Sequence, residues 1–379
     1  MARLTARVRL KCATLTVAGG ATKPSCWCPR FTRVARKSLW DPTVGTHLEA
    51  LRALLAKRRG RAVDLLVLAA LATAGSAVIV NRRAKRAEAD HPPMGRFVTA
   101  AGTRLHYVER GRGRPVVFVH GNGTMLEDML ISGVIDHAAQ RYHALAFDRP
   151  GFGYSERPGT RTWTAAAQAS LLPEAFRLVG IDRPIVVAHS WGALVALALA
   201  LDHPRHVSGL VLVTGYYYPT PRTDVALFSP PALPLVGDLL SYTVAPLIGE
   251  MIGPRLIERM FSPQGVSPRF ARLFPTAMTL RPSQVKAFAE DSAHMVTAAE
   301  RLSPRYRSLF PPTAVLAGDA DEVVGHRQAQ RLHGDVAGSR LDILSGGSHM
   351  VHHIAPERVV RAIDAVASEA AASRPQMRE

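Results

Sequence analysis

The chain has 379 residues, 47% of them hydrophobic, and carries 47 Lys and Arg against 30 Asp and Glu, a formal net charge of +17. That length allows one large domain or two ordinary ones. The charge is unevenly placed: residues 1–90 hold 18 basic and 5 acidic side chains, the remainder 29 and 25. A nearly neutral remainder excludes a nucleic-acid footprint there, because such binding needs a basic face, so no nucleic-acid partner is expected.

In chain order, residues 1–61 read as a basic, disordered tail without a fold pattern. They contain all three cysteines, Cys12, Cys26 and Cys28. Cys26-Trp27-Cys28 is too sparse for a metal site, which wants about four ligands. An uncharged run follows from Leu65 to Val80, flanked by Lys57-Arg58-Arg59 and Arg61 on one side and by Arg82-Arg83 and Lys85-Arg86 on the other. With Ala62 and Val63 it approaches the roughly 20 residues that cross a bilayer. Residues 62–80 are therefore expected to form a transmembrane segment with Asp64 at the interface, since a buried core helix lacks such dense positive ends. The competing reading is a cleaved signal, for which Ala72-Thr73-Ala74 is a small-x-small site, although a signal normally starts near the N-terminus. The basic tail upstream leans toward an N-terminus inside and the rest of the chain outside. Residues 81–94 are expected to be a linker.

Phe97-Val98-Thr99 and Arg104-Leu105-His106-Tyr107-Val108 flank Ala101-Gly102 and predict an antiparallel hairpin. Short apolar runs then alternate with helical stretches: residues 116–119, 144–147, 185–188, 209–213, 313–317 and 341–344. That alternation predicts a mainly parallel sheet with helices on both faces. Residues from about 215 to 300 break the rhythm. Tyr216-Tyr217-Tyr218-Pro219-Thr220-Pro221 opens a Pro-rich, apolar stretch with several short helical segments. The tyrosines suit either pocket lining or strand-end packing.

Ala188-His189-Ser190-Trp191-Gly192 lies where a buried strand meets the helix-forming run Ala193-Leu194-Val195-Ala196-Leu197. A serine at that corner, with small residues two before and two after it, has the form of a nucleophile elbow. The plainer alternative is a helix N-cap. A serine hydroxyl is a weak nucleophile and needs a base, which in turn needs an orienting acid. Gly318-Asp319-Ala320-Asp321 and Gly347-Ser348-His349 follow the last two strands. Loops beyond the carboxyl ends of parallel strands are where catalytic groups belong. Asp319 and Asp321 compete as the acid, and His349, His352 and His353 as the base.

Six pieces in this order carry a resemblance: Arg104-Leu105-His106-Tyr107, His120-Gly121-Asn122-Gly123, Asp148-Arg149-Pro150-Gly151-Phe152-Gly153, the elbow, the turn from Gly318 to Asp321, and Gly347-Ser348-His349. Over residues 95–370 the chain resembles the α/β-hydrolase superfamily, above all its cap-bearing serine hydrolases of the esterase, haloperoxidase-like and meta-cleavage-product hydrolase group. The resemblance implies an α/β-hydrolase fold with the triad in the order Ser190, Asp321, His349. Asp321 stands three residues after the turn glycine, and Asp319 then becomes a turn residue bonding nearby backbone. His349 directly follows the Gly-rich turn, which leaves His352 and His353 as surface histidines. The resemblance also places oxyanion-hole donors at the backbone N–H groups of Asn122 and Trp191, with His120 bracing the loop. It makes residues 215–300 a cap.

The expected function is a serine hydrolase that cleaves a small, apolar acyl ester, with no cofactor and no metal. Phe228, Leu233, Leu235, Leu239, Leu240 and Met251 in the cap favour an apolar substrate, unless they form only the cap's own small core. Carbon–carbon bond hydrolysis and cofactor-free perhydrolysis use the same triad. Epoxide hydrolases and haloalkane dehalogenases share the Asp-Arg-Pro-Gly-Phe-Gly turn but carry a carboxylate where Ser190 stands. A non-catalytic, membrane-anchored binding module is the alternative of another class. The expected partners are thus a small apolar substrate and, through residues 62–80, a membrane.

Overall fold

Eight strands form one sheet in a computed structural model that describes residues 42–372 apart from Leu235. The strands are β1 (Arg96–Ala100), β2 (Thr103–Arg110), β3 (Pro115–Val119), β4 (His143–Phe147), β5 (Ile185–His189), β6 (Gly209–Val213), β7 (Thr313–Gly318) and β8 (Arg340–Leu344). Their order is β1-β2-β4-β3-β5-β6-β7-β8. The first two pair antiparallel with their neighbours, and β3 to β8 are all parallel. Every residue of β5, β6 and β7 is buried, as continuous apolar runs require when helices cover both faces. At the hairpin corner Ala101 and Gly102 both take positive φ, 45° and 74°. Each expected strand is present within two residues of its expected bounds.

One face of the sheet packs on the Gly192–Asp202 helix, whose Leu194, Leu197 and Leu199 are wholly buried. The other packs on the Pro356–Ala372 helix through Val359, Ile363 and Val366. That approach is close. A Cβ on Gly209 would lie 2.1 Å from the Val366 side chain. Between β6 and β7 the chain leaves the sheet for the cap, with helices Thr223–Phe228, Val236–Tyr242, Val244–Phe261 and Pro282–Leu302 among them. The three tyrosines pack at the strand end rather than lining a pocket. All are buried in the main core, with the Tyr217 hydroxyl accepting from the Gly215 amide at 3.2 Å and the Tyr216 hydroxyl accepting from Thr220 at 2.9 Å.

The N-terminal segment differs from expectation in extent. One helix spans Pro42–Asp90, so residues 42–61 of the expected tail and 81–90 of the expected linker are helical. The cysteines and the rest of the tail lie outside the described residues, as does Leu235. Residues 81–90 contain no Gly or Pro and are rich in Ala, Arg, Lys and Glu, all good helix formers. The body also finishes the helix. The Tyr154 hydroxyl donates to the carbonyls of Glu88 and His91, end groups that the helix itself leaves unpaired. Arg281 donates to Glu88 at 2.9 Å, and Ala87 is buried beside Met125 and Phe261. Residues 63–90 are long and apolar enough to cross a bilayer, with mean hydropathy 2.2 in their most apolar window, and almost all of that window is exposed.

Candidate active site

The buried β5 strand delivers Ser190 to the sheet's carboxyl edge. Ser190 has φ 53°, a left-handed conformation that costs a non-glycine residue free energy and points to function when the surroundings enforce it. They do so here through close packing. A Cβ on Gly192 would lie 2.5 Å from the His120 carbonyl oxygen, so only glycine lets the helix start so near β3. The Ser190 amide donates to Val213 at 3.0 Å, and its carbonyl accepts from Ala193 at 3.1 Å. With the backbone turned this way, the hydroxyl meets the loop after β8.

His349 stands on that loop, buried, with Nε2 3.0 Å from Ser190 Oγ. Its Nδ1 lies 2.8 Å from Asp321 Oδ2. With the proton on Nδ1, His349 donates to Asp321 and accepts from the serine. Asp321 is held in turn. Its Oδ1 accepts the Val323 and Val324 amides at 2.8 and 2.9 Å. Asp319 instead accepts the Gly346 amide at 2.6 Å, a turn contact away from the imidazole. The His349 carbonyl takes two donors, Thr214 Oγ1 at 2.8 Å and His189 Nε2 at 3.1 Å, so the ring is positioned from both ends.

His352 and His353 are not surface residues, contrary to expectation. Both lie on the short Val351–Ile354 helix and donate to the two oxygens of the fully buried Asp128, at 3.0 and 2.8 Å. The reason is long-range: the Leu126–Ile131 helix brings a carboxylate beneath them that local sequence does not announce. Burial alone would raise the Asp128 carboxyl, but the charge of His352 and the bonds from both histidines hold it well below the carboxylate range. Burial in turn lowers His352, and burial with the neighbouring His352 and His349 lowers His189. Asp128, His189 and His352 offer donor atoms within 4.8 Å of one another. Ligands on one tetrahedral zinc stand only about 3.3 Å apart, and both Asp128 oxygens already accept from histidines. The cluster therefore fits a hydrogen-bonded brace better than a cation shell.

Asn122 lies in the loop after β3, next to Gly121, where a Cβ would lie 3.1 Å from Ser190 Cβ, and Trp191 directly follows Ser190. Among the described residues no backbone acceptor takes either amide proton. Arg149 explains how the loop is aimed, and the sequence reading passed over it although it stands in the Asp-Arg-Pro-Gly turn. Its guanidinium is buried between the rings of Phe152 and Trp191, 4.5 Å from each. It donates to the His120 carbonyl at 3.0 Å and to the Gly121 carbonyl at 2.9 Å. In a trans peptide the N–H points opposite to the C=O. Drawing the Gly121 oxygen toward Arg149 therefore turns the Asn122 N–H the other way. Asp291 neutralises this buried cation at 2.5 Å.

The Pro282–Leu302 cap helix is latched to both loops. Asn122 Nδ2 donates to the Phe288 carbonyl and to Ser292 Oγ at 3.1 and 3.0 Å. The Trp191 indole donates to the Asp291 carbonyl at 2.9 Å. His120 braces the loop as expected, with Nε2 accepting the Arg149 amide at 2.9 Å. Burial pushes it down to about 4, helped by the Arg149 charge, so it stays neutral.

A family model for the alpha/beta hydrolase fold matches residues 114–356. The chain is 26% identical over 284 residues to 2-hydroxymuconate semialdehyde hydrolase of Pseudomonas putida, covering 74% of this chain and 96% of that one. It is 30% identical over 139 residues to haloalkane dehalogenase 2 of Mycobacterium tuberculosis, covering 37% of this chain and 48% of the relative. Among solved structures, an alpha/beta hydrolase fold protein from Burkholderia ambifaria superposes with a TM-score of 0.60 at 23% identity, over 71% of this chain and 97% of that one.

Proposed function

This chain belongs to the alpha/beta hydrolase family, and we propose that within it the protein is a membrane-anchored serine hydrolase that cleaves an apolar acyl ester through an acyl-enzyme. The observation that carries the reading is the unbroken line Asp321–His349–Ser190, with contacts of 2.8 and 3.0 Å, ending on a serine in the left-handed conformation. In this mechanism Ser190 Oγ attacks the acyl carbonyl while His349 Nε2 takes its proton. Asp321 keeps the imidazole in the right tautomer and stabilises its charged form. The Asn122 and Trp191 amides receive the developing oxyanion, a contribution of a few kcal/mol per donor. His349 then protonates the departing alkoxide. Water, deprotonated by the same imidazole, releases the acid and restores the serine.

The same line of residues serves carbon–carbon bond hydrolysis, and the relative from Pseudomonas putida favours that as the second reading. Alkyl-halide displacement needs a carboxylate nucleophile, and Ser190 occupies its place. The anchor is residues 62–80. The exposure of most of residues 63–79 argues against a core helix, and the arginine-flanked length of the segment suits a bilayer.

A fluorophosphonate probe tests the nucleophile. Peptide mapping is expected to find the label on Ser190, and Ser190→Ala is expected to abolish both labelling and hydrolysis of a panel of p-nitrophenyl esters. Labelling at another serine overturns the assignment. Hydrolysis of a vinylogous 1,5-diketone far faster than of every ester selects the second reading.

A further inference from the structure

The cap exposes far more apolar surface than a buried lid needs. On its Val236–Tyr242 helix, Val236, Leu239 and Tyr242 recur every three residues, each more than half exposed. On the next helix Val244, Ile248 and Met251 repeat at i, i+4 and i+7, with Met251 79% exposed. Residues at that spacing share one helix face. Soluble monomers seldom leave so much contiguous apolar surface bare, and such patches mark protein or membrane contacts.

The position of this surface distinguishes between those contacts. Val80, the last residue of the anchor's apolar run, is buried. It lines a groove of about 300 Å³ together with Ala84 and Ala87 on one side and Pro246, Leu247 and Leu280 of the cap on the other. Arg83 pairs with Glu250, the neighbour of Met251. The cap helix thus lies against the N-terminal helix where its apolar run ends and its arginine cluster begins. Arginines flanking a span sit at headgroup level. A helix rises 1.5 Å per residue, so Val244, Ile248 and Met251, all within about a turn of Leu247, share the level of Val80 and Arg83. An amphipathic helix at that level buries its apolar face about 5–10 Å into the headgroup boundary.

The Thr223–Phe228 helix of the cap adds a further exposed apolar residue and a contact that leads inward. Leu227, 70% exposed, adjoins Phe228, whose ring meets that of Phe288 edge-on at 5.5 Å. Phe288 abuts the oxyanion loop: a Cβ on Gly123 would touch its ring at 3.3 Å. Two aromatic rings in contact therefore join the Thr223–Phe228 helix of the cap to the loop beside Ser190.

We infer that the exposed apolar face of the cap, built on Leu239, Val244, Ile248 and Met251, rests in the interface of the bilayer that holds the N-terminal helix, and that the enzyme draws a lipid-dissolved acyl ester from it. This rests on the anchored-hydrolase reading above and adds to it a partner for the cap and a phase for the substrate.

The test uses the full chain reconstituted in phosphatidylcholine–phosphatidylglycerol vesicles. Met251→Trp is expected to add tryptophan fluorescence that brominated lipids quench, beyond the quenching of the unsubstituted protein. Leu239→Asp and Met251→Asp are expected to lower hydrolysis of vesicle-borne p-nitrophenyl palmitate about tenfold. Both should leave hydrolysis of water-soluble p-nitrophenyl acetate unchanged and remain vesicle-bound in high salt, because the anchor is buried rather than electrostatically held. An unquenched tryptophan together with an unchanged palmitate-to-acetate ratio, in protein that still sediments with vesicles, overturns the inference. It leaves the anchor standing and assigns the face to a protein partner. Equal loss on both esters also counts against it, as a folding effect. Protein that fails to sediment with vesicles rejects the anchor itself. Absence of acetate hydrolysis in the unsubstituted protein rejects the esterase reading, while the fluorescence arm still reports on the interface.

Discussion

Replacing Arg149 by Met separates oxyanion positioning from stability. The substitution keeps much of the side chain's length but removes the donors to the His120 and Gly121 carbonyls and the partner of Asp291. Breaking a buried ion pair from one side costs about 3–5 kcal/mol. Asp291 Oδ1 keeps Arg157 at 3.0 Å and Gln168 at 3.0 Å, so the low end, about 3 kcal/mol, applies. In a domain of this size that is a fall in Tm of roughly 5 °C. The catalytic effect is separate. Without Arg149 the Gly121 carbonyl keeps only His120 Nδ1 at 2.8 Å and Thr124 Oγ1 at 3.4 Å, so the Asn122 amide is aimed less firmly. Complete loss of one oxyanion donor costs about 100- to 1,000-fold in kcat, and a partial loss of about tenfold is expected. The donor acts chiefly in the transition state, so KM should move little. Asp291→Asn is the control. It weakens the same ion pair but leaves Arg149 on the two carbonyls, so it should lower Tm while changing kcat less than about threefold. Steady-state kinetics on a p-nitrophenyl ester, well below both melting temperatures, decide the matter. A kcat for Arg149→Met within threefold of the parent, or equal losses in the two variants, would refute the positioning argument.

Asp321→Asn should cost far more activity than Asp319→Asn, because only Asp321 reaches the imidazole and an amide there favours the wrong tautomer; the reverse ranking in kcat would move the acid to Asp319. Two buried groups should leave stability nearly flat between about pH 4.5 and 6.5 and lower it on the alkaline side. His120 has a folded value of about 4 against 6.5 unfolded, so its contribution is complete above 6.5 and is lost as pH falls toward 4. Glu127, raised by burial to about 8 from 4.5, contributes fully below 4.5 and loses that contribution as pH rises toward 8. Urea unfolding should accordingly show a loss of about 2 kcal/mol between pH 6.5 and 8, and Glu127→Gln should remove it; an alkaline decline that survives in the variant would show that another group causes it.

The strands and the order of the triad were legible along the chain because each depends on neighbours in sequence. Short apolar runs such as Ile185-Val186-Val187 suit strands covered on both faces, and a serine between such a run and an alanine-leucine helix marks a corner. Asp319 and Asp321 were told apart by the resemblance, which places the acid three residues after the turn glycine. The pairs that position the site were not legible. Asp128 meets His352 and His353 across 224 and 225 residues, and Arg149 meets Asp291 across 142. Nothing local distinguishes these side chains from solvated charges, and burial comes only when separate elements pack together. The helix through residues 81–90 belongs to the same class. Its composition permits a helix, but Tyr154, Arg281 and the cap beside Val80 hold its end. Periodicity and turn chemistry write secondary structure into the chain locally, whereas the partner of a buried charge or of an exposed apolar helix face is decided by distances that exist only after the sheet has formed.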